Sequence, residues 1–449
     1  MKVNFTDNDY EENIGDLSVV DDLYNGSSTI KSKGAAYLMP FVDEDQVTFD
    51  RRLKLATFYN FFSKSVDGLS SSLLRKQPQI DYKVKDETFL SNVDGKGSSI
   101  QSFINDLSTK AIIDGMDYIW VDSQRIDGTL SLDMALDVKP YFKILRRSDV
   151  INKSLSFESG SAVLKQIVIR QTISVQKNEF ESQDKDVYVV LREHEGLVYE
   201  EVNGKFKLID EWVNDLGYIP VIPVYAAKTG YLTAKIPMYD LAEMNLDHYN
   251  AYSEYRSNLR LSAVPVAQIY AEQNPDNKTS KQDNVSIGLS KVLLFDDKSK
   301  EGFEWASTDS NAPKNLLASV EGIEKRLNSE AVSILNGDTF NTATEAKIAD
   351  KNGNKFLLEL AYSLEDALNA AFRVVSDYIG RDLSITVETS KDFDSLALDP
   401  QVVDRYLAMH RDGIISKDTL WDILTKGDVV EIPDYDIEKQ KITDEIGQI

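Results

Sequence analysis

Three histidines, His194, His248 and His410, stand far apart in the sequence, and no His-x-x-x-His pair is present to hold a metal from one helix face. The chain has no cysteine, which excludes disulfides, thiolate ligands and a cysteine nucleophile. Asp434, Asp436 and Glu438 alternate as calcium-loop ligands do, but no glycine follows where such a loop must turn sharply. A phosphate cradle needs glycines at set spacing before a helix, and the nearest approach, Gly95-Lys96-Gly97, lacks that spacing. Neither a G-x-S-x-G elbow nor a dinucleotide fingerprint occurs. With 74 Asp and Glu residues, carboxylates fall close together by chance, so no spacing singles out an acid–base dyad. These residues offer no catalytic set, no metal site and no cofactor site, and the chain is expected not to be an enzyme. A carboxylate-dependent hydrolase is the remote alternative; it requires activity in the isolated monomer with a measurable pH optimum.

The elements that would position any site come next, beginning with charge. The formal net charge is -24, which opposes gripping nucleic acid through clustered phosphate contacts. Two readings of the acidity stand: it keeps the protein soluble, or it spares DNA that must slide past. Screening over about 8 Å at physiological salt confines the second role to charges near the DNA. A length of 449 residues points to two to four subdomains. No apolar run reaches the roughly 18 residues that a membrane span needs, and residues 1–8 lack the apolar core of a signal peptide. The absence of cysteine fits assembly in a reducing cytoplasm.

The chain is organised around residues 237–380. Leu241, Met244, His248, Tyr252, Tyr255 and Leu259 recur in steps of three and four, which predicts a helix with one apolar and aromatic stripe. Asp240, Glu243, Asp247, Asn250 and Glu254 fall on the other face, as solvated residues do. A histidine on such a stripe reads as packed in a core or an interface rather than as a ligand. Pro265 ends the pattern. A polar turn follows at Asn274, Pro275, Asp276, Asn277, Lys278 and Lys281, and then strand-forming runs at 285–295 and 302–305. Pro313 suits the first turn of a second helix, with Leu316, Val320, Ile323, Leu327 and Ile334 at helical spacing and Glu321 and Glu324 among its polar residues. Asn336, Gly337, Asp338, Thr339, Phe340 and Asn341 interrupt it, Gly337 being able to take the positive φ that closes a helix. From about Thr344, a third pattern carries Phe356, Leu360, Leu364, Leu368, Phe372, Val375 and Ile379. Asn352-Gly353-Asn354 predicts a kink or break within it.

Before this stretch, residues 1–20 are acidic and read as a flexible or partner-bound arm. Phe49, Leu53, Phe58, Phe62, Val66 and Leu69 predict one helix over 46–74. Arg51, Arg52 and Lys54 in it either pair with the acids of 43–50 or touch another subunit. Ser99 is a plausible cap for a helix over 100–113. Strands are expected at 117–121 and 141–145, and a meander at 166–173, 187–192, 197–202 and 206–209, closed by an edge strand at 220–225. After Gly380 come a strand at 383–387, a helix from Pro400 to His410 and another from Ser416 to Gly427. The fold class is therefore α+β.

The order of long helix, small mixed insertion, helix, short loop, long helix and C-terminal helices resembles the portal proteins of tailed bacteriophages, the head-to-tail connectors. Tyr37-Leu38-Met39-Pro40, residues 51–60, Val66-Asp67-Gly68-Leu69, Arg75-Lys76-Gln77-Pro78, residues 241–250 and Thr344-Glu345-Ala346-Lys347 are similar to stretches of a portal subfamily long catalogued as a domain of unknown function. The resemblance covers roughly residues 21–380. It implies an acidic arm (1–20), an α+β wing (21–235), a first stem helix (236–260), a clip (261–312), a second stem helix (313–335), a tunnel loop (336–342), a long wing helix (343–380) and a crown with tail (381–449). The stem acids would be Asp240, Glu243, Asp247, Glu254, Glu321 and Glu324. The clip turn at 274–281 would dock the packaging motor and tail, and the loop at 336–341 would project into the bore. The implied assembly is a ring, usually a dodecamer in that family, at one vertex of the virion capsid. Its implied partners are the large terminase motor, head-tail adaptor and tail proteins, the major capsid protein, and double-stranded DNA passing during packaging and ejection. No membrane and no cofactor is implied. A virion adaptor or scaffold without a channel is the alternative.

Overall fold

The computed structural model describes residues 2–82, 87–123, 140–158, 160–262, 266–270, 292–295, 302–306, 311–335, 343–391, 393, 400–426 and 439. Helices and sheets combine in an α+β fold, and the chain divides into units Met1–Lys391 and Asp392–Ile449.

The N-terminal acids do not form an arm. Residues Asn8–Asn25 are helix α1, begun by Asp7, whose carboxylate accepts from the Tyr10 N–H at 2.8 Å. Leu17, Val20 and Leu23 repeat at helical spacing and are buried. The acids have structural work: Asp9 accepts from Arg147 at 3.0 Å and Lys153 at 2.6 Å, and Asp21 pairs with Arg146. Gly26, at φ 87°, turns the chain into short helix α2 (Ser27–Ser32).

The helix expected over 46–74 is two, α3 (Gln46–Leu55) and α4 (Phe61–Leu73). Ala56 is extended, and the Asn60 side chain caps α4 by accepting from the Ser63 N–H at 2.9 Å. Then follow β1 (Gln79–Asp81), α5 (Glu87–Ser91) and α6 (Ile100–Asp114), the last capped by Ser99. Gly115 ends α6 at φ 79°; a Cβ there would lie 2.0 Å from the Lys235 carbonyl oxygen, so only glycine fits.

Two sheets build the wing. β2 (Met116–Ser123) and β3 (Pro140–Arg146) belong to the first, while β4 (Val150–Glu158), β5 (Ser161–Gln176), β6 (Ser182–Arg192), β7 (Glu195–Val202) and β8 (Lys205–Val213) form an antiparallel meander. The meander has one more strand than the sequence suggested: β4, whose exposed half alternates polar residues with Leu155 and Phe157. The Pro-rich segment does not close the meander. It is β9 (Val221–Tyr225), an edge of the other sheet in the order β3-β2-β9, where Pro223 lies opposite Tyr118. Tyr118, Trp120, Leu145, Ile167, Ile169, Val189 and Leu191 fuse the two sheets into one core. β10 (Lys228–Gly230) and β11 (Thr233–Ala234) make a small hairpin leading to α7 (Tyr239–Ser262).

Three short strands separate α7 from α8 (Asn311–Leu335). β12 (Val266–Tyr270) pairs in parallel with β13 (Val292–Phe295) and antiparallel with β14 (Gly302–Ala306). Next, α9 (Ala343–Ile379) is one helix of 37 residues, continuous through Asn352-Gly353-Asn354, so the expected break is absent. Two glycine-flanking asparagines weaken a helix, but a long packed face outweighs that local preference. Leu360, Leu364, Leu368, Phe372 and Val375 are buried along it. Phe372 meets Phe142 of β3 with ring centres 5.5 Å apart, and Ser363 accepts from the Tyr225 N–H at 2.8 Å. The Asn369 amide grips both the N–H (2.8 Å) and the carbonyl (2.9 Å) of Val387. Val387 lies in β15 (Thr386–Glu388), which pairs with β1 and starts later than expected because Ser384 sits at φ 46°. Residues 381–391 thus belong to the first unit.

The second unit contains α10 (Pro400–Arg411) and α11 (Lys417–Lys426), joined through Gly413 at φ 73°. Ser416 caps α11, its hydroxyl accepting from the Thr419 N–H at 3.1 Å. Among the described residues, no helix is long and apolar enough to cross a membrane.

Candidate functional site

The site is the helix pair α7 and α8, whose faces pack together along their length. His248 and Glu324 form the rung between them, with Nε2 to Oε1 at 3.0 Å. Each lies about 20 Å from the β12–β14 end of its own helix, at 1.5 Å per residue, so the two helices run antiparallel as a hairpin tipped by the small sheet. Leu241, Ala242, His248 and Tyr249 of α7 and Val320 and Leu327 of α8 are buried.

His248 is fully buried. Its ring stacks on Tyr252 (5.9 Å, 13°) and meets the edges of Tyr59 (5.9 Å) and Phe61 (5.2 Å). Glu324 as a carboxylate only accepts, so Nε2 carries the proton that it receives. Among the described residues, Nδ1 is buried without a hydrogen-bond partner.

Sequence periodicity missed the polar anchors that fix α7 to the wing. Asn245 is fully buried; its carbonyl accepts from the Phe61 and Phe62 N–H groups, both at 3.0 Å, and its amide donates to the Tyr59 carbonyl at 2.9 Å. One side chain therefore serves two of the N–H groups that the start of α4 leaves without an intrahelical partner, and the carbonyl just before it. Asn250 was assigned to the solvated face but is half-buried. It donates to the Tyr37 carbonyl at 2.8 Å and accepts from the Met39 N–H at 2.9 Å. The only sequence signal was Asn245 standing four residues from Leu241 and four from Tyr249, on the apolar side.

Arg52 is the third anchor. Its guanidinium donates to Glu44 through Nε at 2.9 Å and Nη2 at 2.7 Å, to the Met39 carbonyl at 2.6 Å and to the Ser253 hydroxyl of α7 at 3.3 Å. It also lies 4.1 Å over the Phe41 ring. The hydrogen bonds from Arg52 hold the Glu44 carboxyl below the usual carboxylate range. The pairing of this basic cluster with nearby acids thus holds for Arg52, whereas Arg51 and Lys54 face solvent.

Of the six acids assigned to the helix pair, Asp240, Glu243, Asp247, Glu254 and Glu321 are exposed, and the structure turns Glu324 inward to His248. At 100° per residue, the four on α7 fall within an arc of roughly 60°. The turn with Asn274, Pro275, Asp276, Asn277, Lys278 and Lys281, and the loop from Asn336 to Asn341, lie outside the described residues.

A second polar cluster docks α1. Arg146 donates to both oxygens of buried Asp114, at 2.8 and 2.7 Å; burial raises the Asp114 carboxyl above the usual range, and the Arg146 guanidinium opposes that rise. Asp117, also fully buried, is pushed well above the usual carboxylate range by burial and by the charge of Asp114. Its full burial and its bond from the Arg147 N–H at 2.8 Å fit a structural role.

Residues 237–379 match the family described as "Domain of unknown function (DUF4055)". The match starts just before α7 and ends on the last residue of α9, so it encloses the hairpin, its sheet and the long helix. Among curated proteins no match is found. Among solved structures, the virion of a native gene transfer agent particle is similar at 14% identity and a TM-score of 0.38, over 89% of this chain and 99% of that one. The neck of an empty gene transfer agent particle, computed with C6 symmetry, gives the same values. The neck of the native particle, computed with C12 symmetry, gives 14% identity and a TM-score of 0.36 over the same shares. Likeness as slight as this does not fix a function.

Proposed function

We propose that the chain is the protomer of a portal: a ring-shaped channel at one capsid vertex that conducts double-stranded DNA during packaging and ejection. The observation that carries this reading is the antiparallel hairpin of α7 and α8, tipped by a three-stranded sheet and followed by a 37-residue helix running back into the wing. A ring needs each protomer to present a stiff rod. The His248–Glu324 rung, Asn245 and Arg52 stiffen this one and fix it to the wing. A channel for DNA must not hold DNA, and a chain of net charge -24 suits that.

In this reading, the helix pairs of successive copies wall the passage. The β12–β14 insertion is the clip, where a packaging motor and later tail adaptors dock, and residues 336–341 form the loop at the inner end. ATP-driven work belongs to the separate motor, the large terminase, and the portal itself performs no catalysis.

Native mass measurement and particle images of the purified full-length chain test the reading. The expected result is a closed ring of identical copies, a dodecamer by analogy with the resembled family, with an open centre. A chain that binds virion partners while remaining a monomer or a compact oligomer without a hole refutes the channel and leaves an adaptor or scaffold.

A further inference from the structure

The outer side of α3 has an unusual surface for a chain this acidic. Val47 and Leu55 are 69% and 46% exposed, and Arg51 and Lys54 beside them face solvent. At 100° per residue these four share an arc of roughly 100°. Among the described residues, neither cation has an ion pair. Asp50, at the margin of the face, is engaged by the Gln46 amide at 2.8 Å. Met39 and Val42, 73% and 94% exposed, extend the apolar patch along the preceding loop. Large apolar side chains gathered on one helix beside unpaired cations mark a contact surface rather than a solvated one.

The complement is on the same chain. Asp240, Glu243, Asp247 and Glu254 make one acidic ridge along α7, also without ion pairs among the described residues. Within one copy the two surfaces do not meet. Arg52, roughly 110° around α3 from the middle of the exposed face, fastens α3 to α7 at Ser253. Ser253 stands roughly 110° around α7 from the middle of the ridge. The cationic face therefore points away from its own α7.

We propose that the exposed α3 face docks on the acidic α7 ridge of a second copy of this chain. The contact is head-to-tail, each copy offering the α3 face to one neighbour and the ridge to the other, and such heterologous contacts close into rings. Arg51 and Lys54 supply register and orientation, while Val47 and Leu55 supply the apolar area. The inference rests on the ring assembly proposed above and names the surfaces that build it.

The test is charge reversal in the full-length chain, read by sedimentation velocity across protomer concentrations. Arg51→Glu with Lys54→Glu is expected to raise the concentration for half-assembly by about tenfold or more. Adding Glu243→Lys and Asp247→Lys to the same chain restores assembly. All four positions are exposed, so far-UV circular dichroism and melting should match the natural chain. Rings that form equally well after reversal overturn the contact while leaving the ring reading intact. Assembly lost on reversal but not restored by the compensating pair also overturns it, because the α3 face then meets some other surface. A natural chain that stays single at every concentration overturns the ring reading and this contact together.

Discussion

Replacing Arg52 with alanine should release α3 and the preceding loop from α7. Arg52 and Glu44 side chains are only 6% and 3% exposed, and the guanidinium reaches Glu44, the Met39 carbonyl and Ser253. Arg52→Ala removes those bonds and strands a buried carboxylate, a loss of about 3–5 kcal/mol. Removing Glu44 as well takes away the stranded charge, so the double variant Glu44→Ala/Arg52→Ala should cost about 2–3 kcal/mol less than the sum of the singles. Hydrogen exchange of the α3 amides, including those of Phe49 and Ala56 that donate to Asp45 and Arg52, reads this directly. At tenfold per 1.4 kcal/mol, the loss corresponds to at least about a hundredfold faster exchange in the single variant. Unchanged exchange in Arg52→Ala, or strict additivity in the double variant, would show that the pair is not what holds α3.

Two other outcomes follow from buried polar groups. Glu324→Gln keeps an acceptor for the His248 Nε2–H and should cost less than about 1 kcal/mol in chemical denaturation, whereas His248→Ala empties a packed site and should cost about 3 kcal/mol; equal damage from both refutes a rung that needs only an acceptor at position 324. Burial, with the charge of Asp114, raises the folded-state value of Asp117 well above the usual carboxylate range. An unfolded aspartate releases its proton near pH 4, so the stability due to Asp117 is complete below that pH and is lost as pH rises toward its folded value. Asp117→Asn removes the titration but keeps an acceptor for the Arg147 N–H, now made at 2.8 Å. Its melting temperature should therefore gain on that of the natural chain between pH 4 and 8, and a difference that shrinks with rising pH contradicts a raised Asp117 value.

Local rules in the sequence determined a good deal. Helical spacing of Leu241, His248 and Tyr252, of Val320 and Leu327, and of Leu360 to Val375 located the hairpin and the long helix, because a 3.6-residue period survives any tertiary setting that buries one face. Ser99 and Ser416 marked helix starts, because a cap acts on backbone within its own turn. Alternation found most meander strands and the α+β class.

Tertiary structure alone decided what distant partners do to ambiguous residues. The acids of α1 read as a flexible or partner-bound arm until Arg146, Arg147 and Lys153, more than a hundred residues away, turned them into docking contacts. The division between α3 and α4 follows from Asn60 and from Asn245, which takes over the start of α4. Asn250 and Arg52 belong to the surface by composition and to the interior by partnership. Spacing within a segment reports its own period; a buried hydrogen bond depends on the far group that the fold brings to it, and no local pattern encodes that meeting.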